Sequence, residues 1–257
     1  MENKLVLSLV FIFISVALTA CGQPPTDTPQ PTPQVVSVAH TPSLRPVREA
    51  LHDCAITFPE IALVVHETSF PYLLEESADL YLWLGEPPDT SNFVYPLARE
   101  QIVVIVHPDN PIEVLETGEL FAIFTGQTRN WHEVSGLNNE TEVWVYPTDD
   151  EIQQLIDRAV LNDEPFTSWA WLAPDPPAML EAVSENTSTI GFLPHAWLTE
   201  KAKIVEVDSE LHASLNQPLL VLSNTEPQAG VRALLFCLQN ETGQSTLSMR
   251  YQVLGDN

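Results

Sequence analysis

The sequence is poor in positive charge. It holds 10 Lys and Arg residues against 35 Asp and Glu residues, which gives a formal net charge of −25 at pH 7. A protein that grips a phosphate backbone, or that adheres to anionic lipid through a polybasic patch, needs a basic surface. We therefore expect no nucleic acid partner and no electrostatic adhesion to a membrane. The acidity predicts a solvated negative surface and by itself names no ligand.

Glycine is also scarce, with nine in 257 residues, and the catalytic motifs that need glycine are missing. The sequence has no Gly-x-Ser-x-Gly turn, no Gly-Lys-Ser/Thr phosphate loop and no His-Glu-x-x-His pair. The seven histidines are scattered, so a metal site built from His40, His66 and carboxylates is an alternative that the spacing does not favour. We predict that the protein is not an enzyme and carries no cofactor or metal.

The N-terminal residues follow the pattern of an export signal. Residues 5–20 carry no charge and follow Lys4, a run too short for an ordinary membrane span of about 20 apolar residues. Leu18-Thr19-Ala20-Cys21 resembles the bacterial lipobox, in which the cysteine is lipidated; a plain secretory signal with a chance cysteine is the alternative. We predict a lipoprotein signal peptide over 1–20, a lipid on Cys21 that anchors the chain to the membrane, and an extracytoplasmic location.

The tether that follows is rich in proline and threonine. Residues 21–34 contain few apolar side chains, and proline keeps such a segment extended. We expect it to hold a folded domain away from the membrane. Of the remaining cysteines, Cys54 and Cys237, the sequence allows either a disulfide in an oxidising compartment or two buried thiols.

The rest of the chain alternates short β-rich apolar runs with helical patterns, which is typical of an α/β fold with largely parallel strands. The patterns predict strands over 35–39, 61–66, 80–84, 101–107, 143–146, 190–193 and 219–222. They predict helices over 44–54, 119–124, 151–161, 179–183 and 228–238, with another beyond Gly243.

Four short motifs, in this order along the chain, resemble the PstS-like phosphate-binding proteins of ABC importers. They are Ile123-Phe124-Thr125-Gly126, Asn130-Trp131, Ile190-Gly191-Phe192, and Leu219-Leu220-Val221 followed by Glu226-Pro227. The resemblance implies a two-lobed type II periplasmic-binding-protein fold with a hinge. Lobe one would comprise 35–98 and 206–257, and lobe two 99–205. It further implies a monomer that binds a small solute, either a phosphate-like oxyanion or another polar molecule, and delivers it to ABC permease subunits.

The resemblance also places candidate ligand-binding residues at the ends of strands. Thr41 and Ser43 follow the first strand, Thr68 and Ser69 follow the second, and Asp79 precedes the third. Hydroxyls at such positions suit an oxyanion. Each also has a purely structural alternative: Thr41 or Ser43 as a helix cap, Thr68-Ser69 as a turn, and Asp79 as an ordinary strand-start carboxylate.

The fourth loop departs from the family pattern. Where family members carry a Ser-Gly-Thr-Arg type loop, this chain has Pro147-Thr148-Asp149-Asp150-Glu151, with no glycine and no arginine. Thr148 and Asp149 are the candidate ligand residues there, and Thr148 with Glu151 matches a capping box. Carboxylates at this position would repel an anion. The loop therefore predicts either a cationic or neutral polar ligand, or a protein that keeps the fold and acts as an interaction or sensory partner without import.

Several aromatic side chains are further candidates for contact with a ligand. They are Trp83, Tyr95, Trp144, Trp169 and Trp171. Tryptophans at the alternating spacing of Trp169 and Trp171 are more often part of the core or its rim.

Overall fold

The strands of the described part of the chain, residues 33–89 and 93–253 of a computed structural model, are joined edge to edge. They are β1 (Gln34–His40), β2 (Ile61–Glu67), β3 (Leu80–Leu84), β4 (Phe93–Val106), β5 (Glu142–Val145), β6 (Trp171–Leu172), β7 (Thr189–Pro194), β8 (Lys203–Val205), β9 (Asn216–Ser223) and β10 (Gln252–Val253). The expected signal peptide (1–20), Cys21 and all but the last two residues of the tether lie outside the described residues.

The described helices pack against this sheet. They are α1 (Arg48–Thr57), α2 (Thr117–Phe124), α3 (Glu151–Ile156), α4 (Pro176–Glu185), α5 (Ser209–Ser214), α6 (Ala229–Gln239) and α7 (Glu241–Leu247). Short 3₁₀ segments precede α1 (Pro42–Val47) and follow β2 (Phe70–Glu75), and a π-helical turn, Asp157–Leu161, extends α3. Within the described residues, no helix has the length and apolar character needed to cross a bilayer.

Strand β4 organises the sheet, whose order is β2-β1-β3-β9-β4-β7-β5-β6. The first part of β4 pairs with β9 and β10, and its second part pairs with β7 and β8, always antiparallel. On either side of this centre the strands are parallel, β2 and β3 with β1, and β6 and β7 with β5. The sheet is therefore mixed rather than largely parallel, because β9 runs against both β3 and β4, and β4 runs against β7 and β8.

We call β1, β2, β3, β9, β10 and the first part of β4 the first half of the sheet, and β5 to β8 with the second part of β4 the second half. Val106 at the end of β4 and Val36 and Val38 of β1 are fully or almost fully buried, and one continuous apolar core reaches both halves. The predicted α/β class is confirmed, and the predicted strands and helices are all present with shifted ends.

Local chemistry explains where several helices begin. The side chains of Asp150, Asp175 and Asp208 accept backbone N–H bonds at the starts of α3, α4 and α5. Asn130 caps the 3₁₀ turn that begins at Trp131. Trp131 itself is buried, and its Nε1 donates to the Ser188 carbonyl at 2.9 Å. The Asn130-Trp131 motif therefore has a structural role here.

The two cysteines that the sequence left open form a disulfide. Cys54 of α1 and Cys237 of α6 are both buried, and their Sγ atoms are bonded across 183 residues of sequence. The bond fixes two helices that lie against the first half of the sheet. It also agrees with folding in an oxidising compartment.

We predict that replacing both cysteines by alanine lowers the free energy of unfolding by about 2–4 kcal/mol, because the bond closes a long loop in the unfolded chain. Denaturant titration measures this. A reducing agent should destabilise the wild-type chain and leave the double variant unchanged. A double variant as stable as the oxidised wild type would contradict the prediction.

Candidate functional site

Thr41 and Ser43 lie together at the end of β1, as the sequence predicted, and both are buried. Thr41 occupies the cap position of the 3₁₀ segment, but its side chain makes no cap hydrogen bond. The two hydroxyl oxygens lie 2.8 Å apart. Both hydroxyls are therefore turned toward something other than their own helix.

The group that both hydroxyls face is Glu151. It is the first residue of α3, the helix that follows β5 of the second half of the sheet. Thr41 Oγ1 donates to Glu151 Oε1 at 2.5 Å, and Ser43 Oγ donates to the same oxygen. The Glu151 side chain is buried, and its second oxygen, Oε2, is buried with no hydrogen-bond partner among the described residues. A carboxyl group of the chain itself thus occupies the hydroxyls that were expected to receive an oxyanion.

Thr41 Oγ1, Ser43 Oγ and Glu151 Oε1 form a triangle of three short contacts. Both hydroxyl protons are donated to Oε1, so the side between the two hydroxyl oxygens has no proton of its own. Burial raises the pKa of Glu151, so its carboxyl retains a proton to a higher pH than an exposed carboxyl does. The hydroxyls that were expected to receive an anion are thus already bonded to a carboxyl of the chain itself.

Asp150 stands beside Glu151 and caps α3, accepting from Ile152 N at 2.8 Å. The cap is therefore Asp150, and the capping box predicted for Thr148 and Glu151 is wrong. Burial, and then the nearby Glu151 carboxyl, raise the pKa of Asp150 to about 8. Ionising both of these adjacent carboxyls costs free energy, because their negative charges repel each other.

The cations nearest the hydroxyls are already paired. Arg45 donates from Nε and Nη2 to the two oxygens of Glu67, at 2.7 and 2.6 Å, and Arg48 Nη2 lies 3.2 Å from the same carboxylate. The hydrogen bond from Arg45 lowers the pKa of Glu67, which holds it ionised. Glu67 ends β2 directly beside His40 of β1. Glu67 is not among the candidates that the sequence indicates, because its pairing with Arg45 depends on the strand register.

His40 is buried and has both ring nitrogens in use. Nδ1 lies 2.6 Å from the Thr41 carbonyl, and Nε2 accepts from Arg48 Nε at 2.7 Å. Burial lowers the pKa of His40, so the neutral ring donates through Nδ1 and accepts through Nε2. Within 33–89 and 93–253, no group of three or more His, Cys, Asp or Glu side chains is arranged to hold a metal.

The contacts of the remaining predicted site residues do not involve this triangle. The Thr68 backbone N–H donates to the His40 carbonyl at 3.0 Å, and Ser69 precedes a 3₁₀ segment without capping it. The Asp79 carboxylate accepts from both the backbone and the hydroxyl of Ser37, at 2.8 and 2.7 Å. Thr148 and Asp149 are exposed on the loop before α3. Whether these five contact a ligand stays a prediction.

A pocket of about 800 Å³ opens between the first half of the sheet and α3. Phe70 and Trp83 lie on one side, with ring centroids 5.0 Å apart. Glu151, Gln154 and Arg158 line the other side. The pocket combines an aromatic wall with amide, carboxyl and guanidinium groups, a combination typical of sites for small polar molecules.

Three further contacts join the halves next to the triangle. Trp197 Nε1 donates to the Ser43 carbonyl at 2.8 Å, and the Arg45 guanidinium lies 5.4 Å from the Trp197 ring centroid. Arg45 Nη2 also lies 3.8 Å from Asp175 Oδ2 at the start of α4. The residues flanking the hydroxyls are therefore bonded across the cleft as well.

We predict that the Asp150–Glu151 pair makes the protein less stable as the pH rises. In the unfolded chain such carboxyls lose their protons near pH 4, whereas Asp150 in the folded chain holds its proton to about pH 8. The folded state binds more protons between these values, so the free energy of unfolding falls as the pH increases from about 4 to about 8.

Thermal melts of the wild type and of Asp150→Asn across this range isolate the effect. Asparagine keeps the oxygen that caps α3. Burial also raises the pKa of Glu100 to about 8, but Glu100 is present in both proteins and contributes equally to their pH dependence. The wild type should lose more melting temperature than the variant between pH 5 and pH 8. Parallel curves would contradict the assignment.

Comparison with known proteins gives matches among solved structures only; no family model and no curated protein matches the sequence. A Clostridium perfringens protein assigned as a phosphate ABC transporter substrate-binding protein, with phosphate bound, is 18% identical. The match covers 86% of this chain and 99% of that one, with a TM-score of 0.77. An ABC-type phosphate transport receptor from Vibrio cholerae is 16% identical over 85% and 99%, with a TM-score of 0.68.

The same architecture also occurs in regulators. The Synechocystis CcmR regulatory domain in complex with 2-PG is 13% identical, with 84% of this chain and 97% of that one covered and a TM-score of 0.59. The neighbours named as transport proteins are binding proteins and not enzymes. At these identities the likeness establishes the fold, and the chain has the two-lobed α/β fold of type II periplasmic binding proteins.

Proposed function

We propose that this protein is an extracytoplasmic, lipid-anchored solute-binding protein that takes a small polar solute between its lobes and delivers it to ABC permease subunits. The observation that carries the proposal is the pocket of about 800 Å³ between the first half of the sheet and α3, in a fold that other proteins use to bind solutes. Lobe one would be 35–98 with 206–257, and lobe two 99–205. Lipid on Cys21 would hold a monomer at the membrane.

The chemistry of the pocket favours a neutral or cationic solute over free phosphate. Glu151 already occupies the Thr41 and Ser43 hydroxyls, and Arg45 is neutralised by Glu67. Trp83 offers an aromatic surface, and Gln154 and Gln217 offer amides that can both donate and accept. A polar molecule with one apolar face, such as an amino acid, an amine or a sugar, fits this set.

A second candidate is an interaction or sensory lipoprotein without import. It is favoured by the contact of Glu151 with Thr41 and Ser43, which joins the two halves of the sheet through the chain's own side chains. A cleft held in this way needs no solute to close it. Under this hypothesis no solute stabilises the protein, and a protein partner binds to its closed form.

We predict that one class of polar solute stabilises the full chain, purified in a detergent without a sugar headgroup. A solute at 100 times its dissociation constant adds about 2.7 kcal/mol, or roughly 5–10 °C in a thermal melt. A shift that comes from this pocket should be abolished by Trp83→Ala and retained by Trp171→Ala, which lies outside it. If no amino acid, amine, sugar or oxyanion gives a shift that depends on Trp83, the solute-binding proposal is rejected and the second candidate is favoured.

We also predict that phosphate binding can be created by removing the Glu151 side chain. Glu151→Ala frees both hydroxyls, so phosphate should raise its melting temperature while leaving the wild type unchanged. Glu151→Gln is the matched control, because it removes the acid but still fills the space. A gain in both variants would mean that charge alone excludes the anion, and a gain in neither would mean that Thr41 and Ser43 do not form an anion site.

A further inference from the structure

A second pocket, of about 540 Å³, lies at the opposite end of β5 from Glu151. Its walls include Trp169 and Trp171, whose side chains are 43% and 58% exposed although tryptophan is normally well covered. None of its lining residues belongs to the pocket beside α3. The sequence pattern predicts that these two tryptophans pack in the core or at its rim. Packing of that kind does not account for how much of each ring is exposed.

Each of the two exposed indoles is in contact with a further side chain. The Trp171 ring stacks on Trp144, with centroids 6.0 Å apart and an interplanar angle of 21°. The Arg129 guanidinium lies 3.8 Å from the ring centroid of Trp169. Gly126 gives that ring its space, since a Cβ at this position would come within 2.4 Å of it. The indoles are therefore held in place before any ligand arrives, which lowers the entropy cost of binding.

Polar groups in fixed positions surround the aromatic rings. Glu142 accepts from Trp144 Nε1 at 2.8 Å, from Asn186 Nδ2 at 2.9 Å and from Thr189 Oγ1 at 3.0 Å. Ser188 and the exposed carboxylate of Glu140 complete the rim. The pocket thus offers carboxylate, amide, hydroxyl and guanidinium groups close to apolar ring faces.

This combination matches the chemistry of a sugar ring. A pyranose has one face of C–H groups, which packs on the electron-rich face of an indole, and an edge of hydroxyls that both donate and accept. A quaternary ammonium ion also favours tryptophan, but Arg129 already places a positive charge on Trp169. An anionic glycan would meet Glu140 and Glu142.

We propose that the pocket formed by Arg129, Glu140, Glu142, Trp169, Trp171 and Asn186 is a binding site for a neutral saccharide. It is separate from the proposed solute site and does not depend on it. The ligand is either a free mono- or oligosaccharide or a sugar unit of a larger glycan, since the same ring chemistry serves both.

The test is a titration of the full chain, again in a detergent without a sugar headgroup, with neutral mono- and oligosaccharides, using saturation-transfer NMR and calorimetry. A parallel arm measures retention of the chain on insoluble neutral polysaccharide. We expect binding by the wild type and a roughly tenfold or greater loss of affinity in Trp171→Ala and Trp169→Ala. Phe236→Ala is the matched control, because Phe236 is also a large exposed aromatic residue (65%) and does not line this pocket.

The two arms distinguish a free saccharide from a sugar unit of a larger glycan. A soluble sugar reduces retention on the polysaccharide only if both ligands occupy this pocket. Trp83→Ala, in the other pocket, should leave this binding intact, so failure of the solute-binding proposal is distinguishable from failure here. No saccharide binding at millimolar concentration, or equal binding by wild type and a folded Trp171→Ala variant, would overturn the proposal. Binding of choline with no binding of sugars would overturn it as well.

Discussion

Every other part of the sheet depends on the course of β4. This 14-residue strand pairs with β9 and β10 in its first part and with β7 and β8 in its second. Its inner residues, Ile102 to Val106, are almost completely buried, so the strand cannot shift register without exposing apolar side chains to water. Because β4 belongs to both halves, the ends of β1 and β5 are brought face to face. The cleft between them is a consequence of that single strand.

The meeting of those two ends creates a site that differs from a simple oxyanion cradle. Thr41 and Ser43 are the hydroxyls that the sequence predicted for an oxyanion, but Glu151 supplies an acceptor from within the chain. Arg45 and Arg48, the nearby cations, are held by Glu67. These charges are therefore balanced by the protein itself. Under the proposed function, recognition of a ligand would rest on the aromatic, amide and guanidinium groups of the adjoining pocket.

Buried acids recur near the connections between the halves. Glu100 lies in β4 near the point where the partners of that strand change, and its Oε1 accepts from Ala196 N at 3.3 Å. Within residues 33–89 and 93–253 its Oε2 has no hydrogen-bond partner, and Glu151 likewise has one bonded and one unbonded buried oxygen. Burial raises the pKa of both groups. Each of these carboxyls therefore retains its proton to a higher pH than an exposed carboxyl does, which lowers the cost of burying it.

The sequence by itself determined the class of fold, the order of most elements and the cluster of hydroxyls after β1, because hydrophobic periodicity and turn residues are local signals. It left the Cys54–Cys237 bond open and missed short β6, β8 and β10, which have too few residues to show a pattern. Only the tertiary structure decided that Glu151 meets Thr41 and Ser43, that Glu67 holds Arg45, and that Trp169 and Trp171 face water. The two carboxylate contacts join residues far apart in sequence, and the exposure of the tryptophans depends on what packs around them; strand register and helix packing set both.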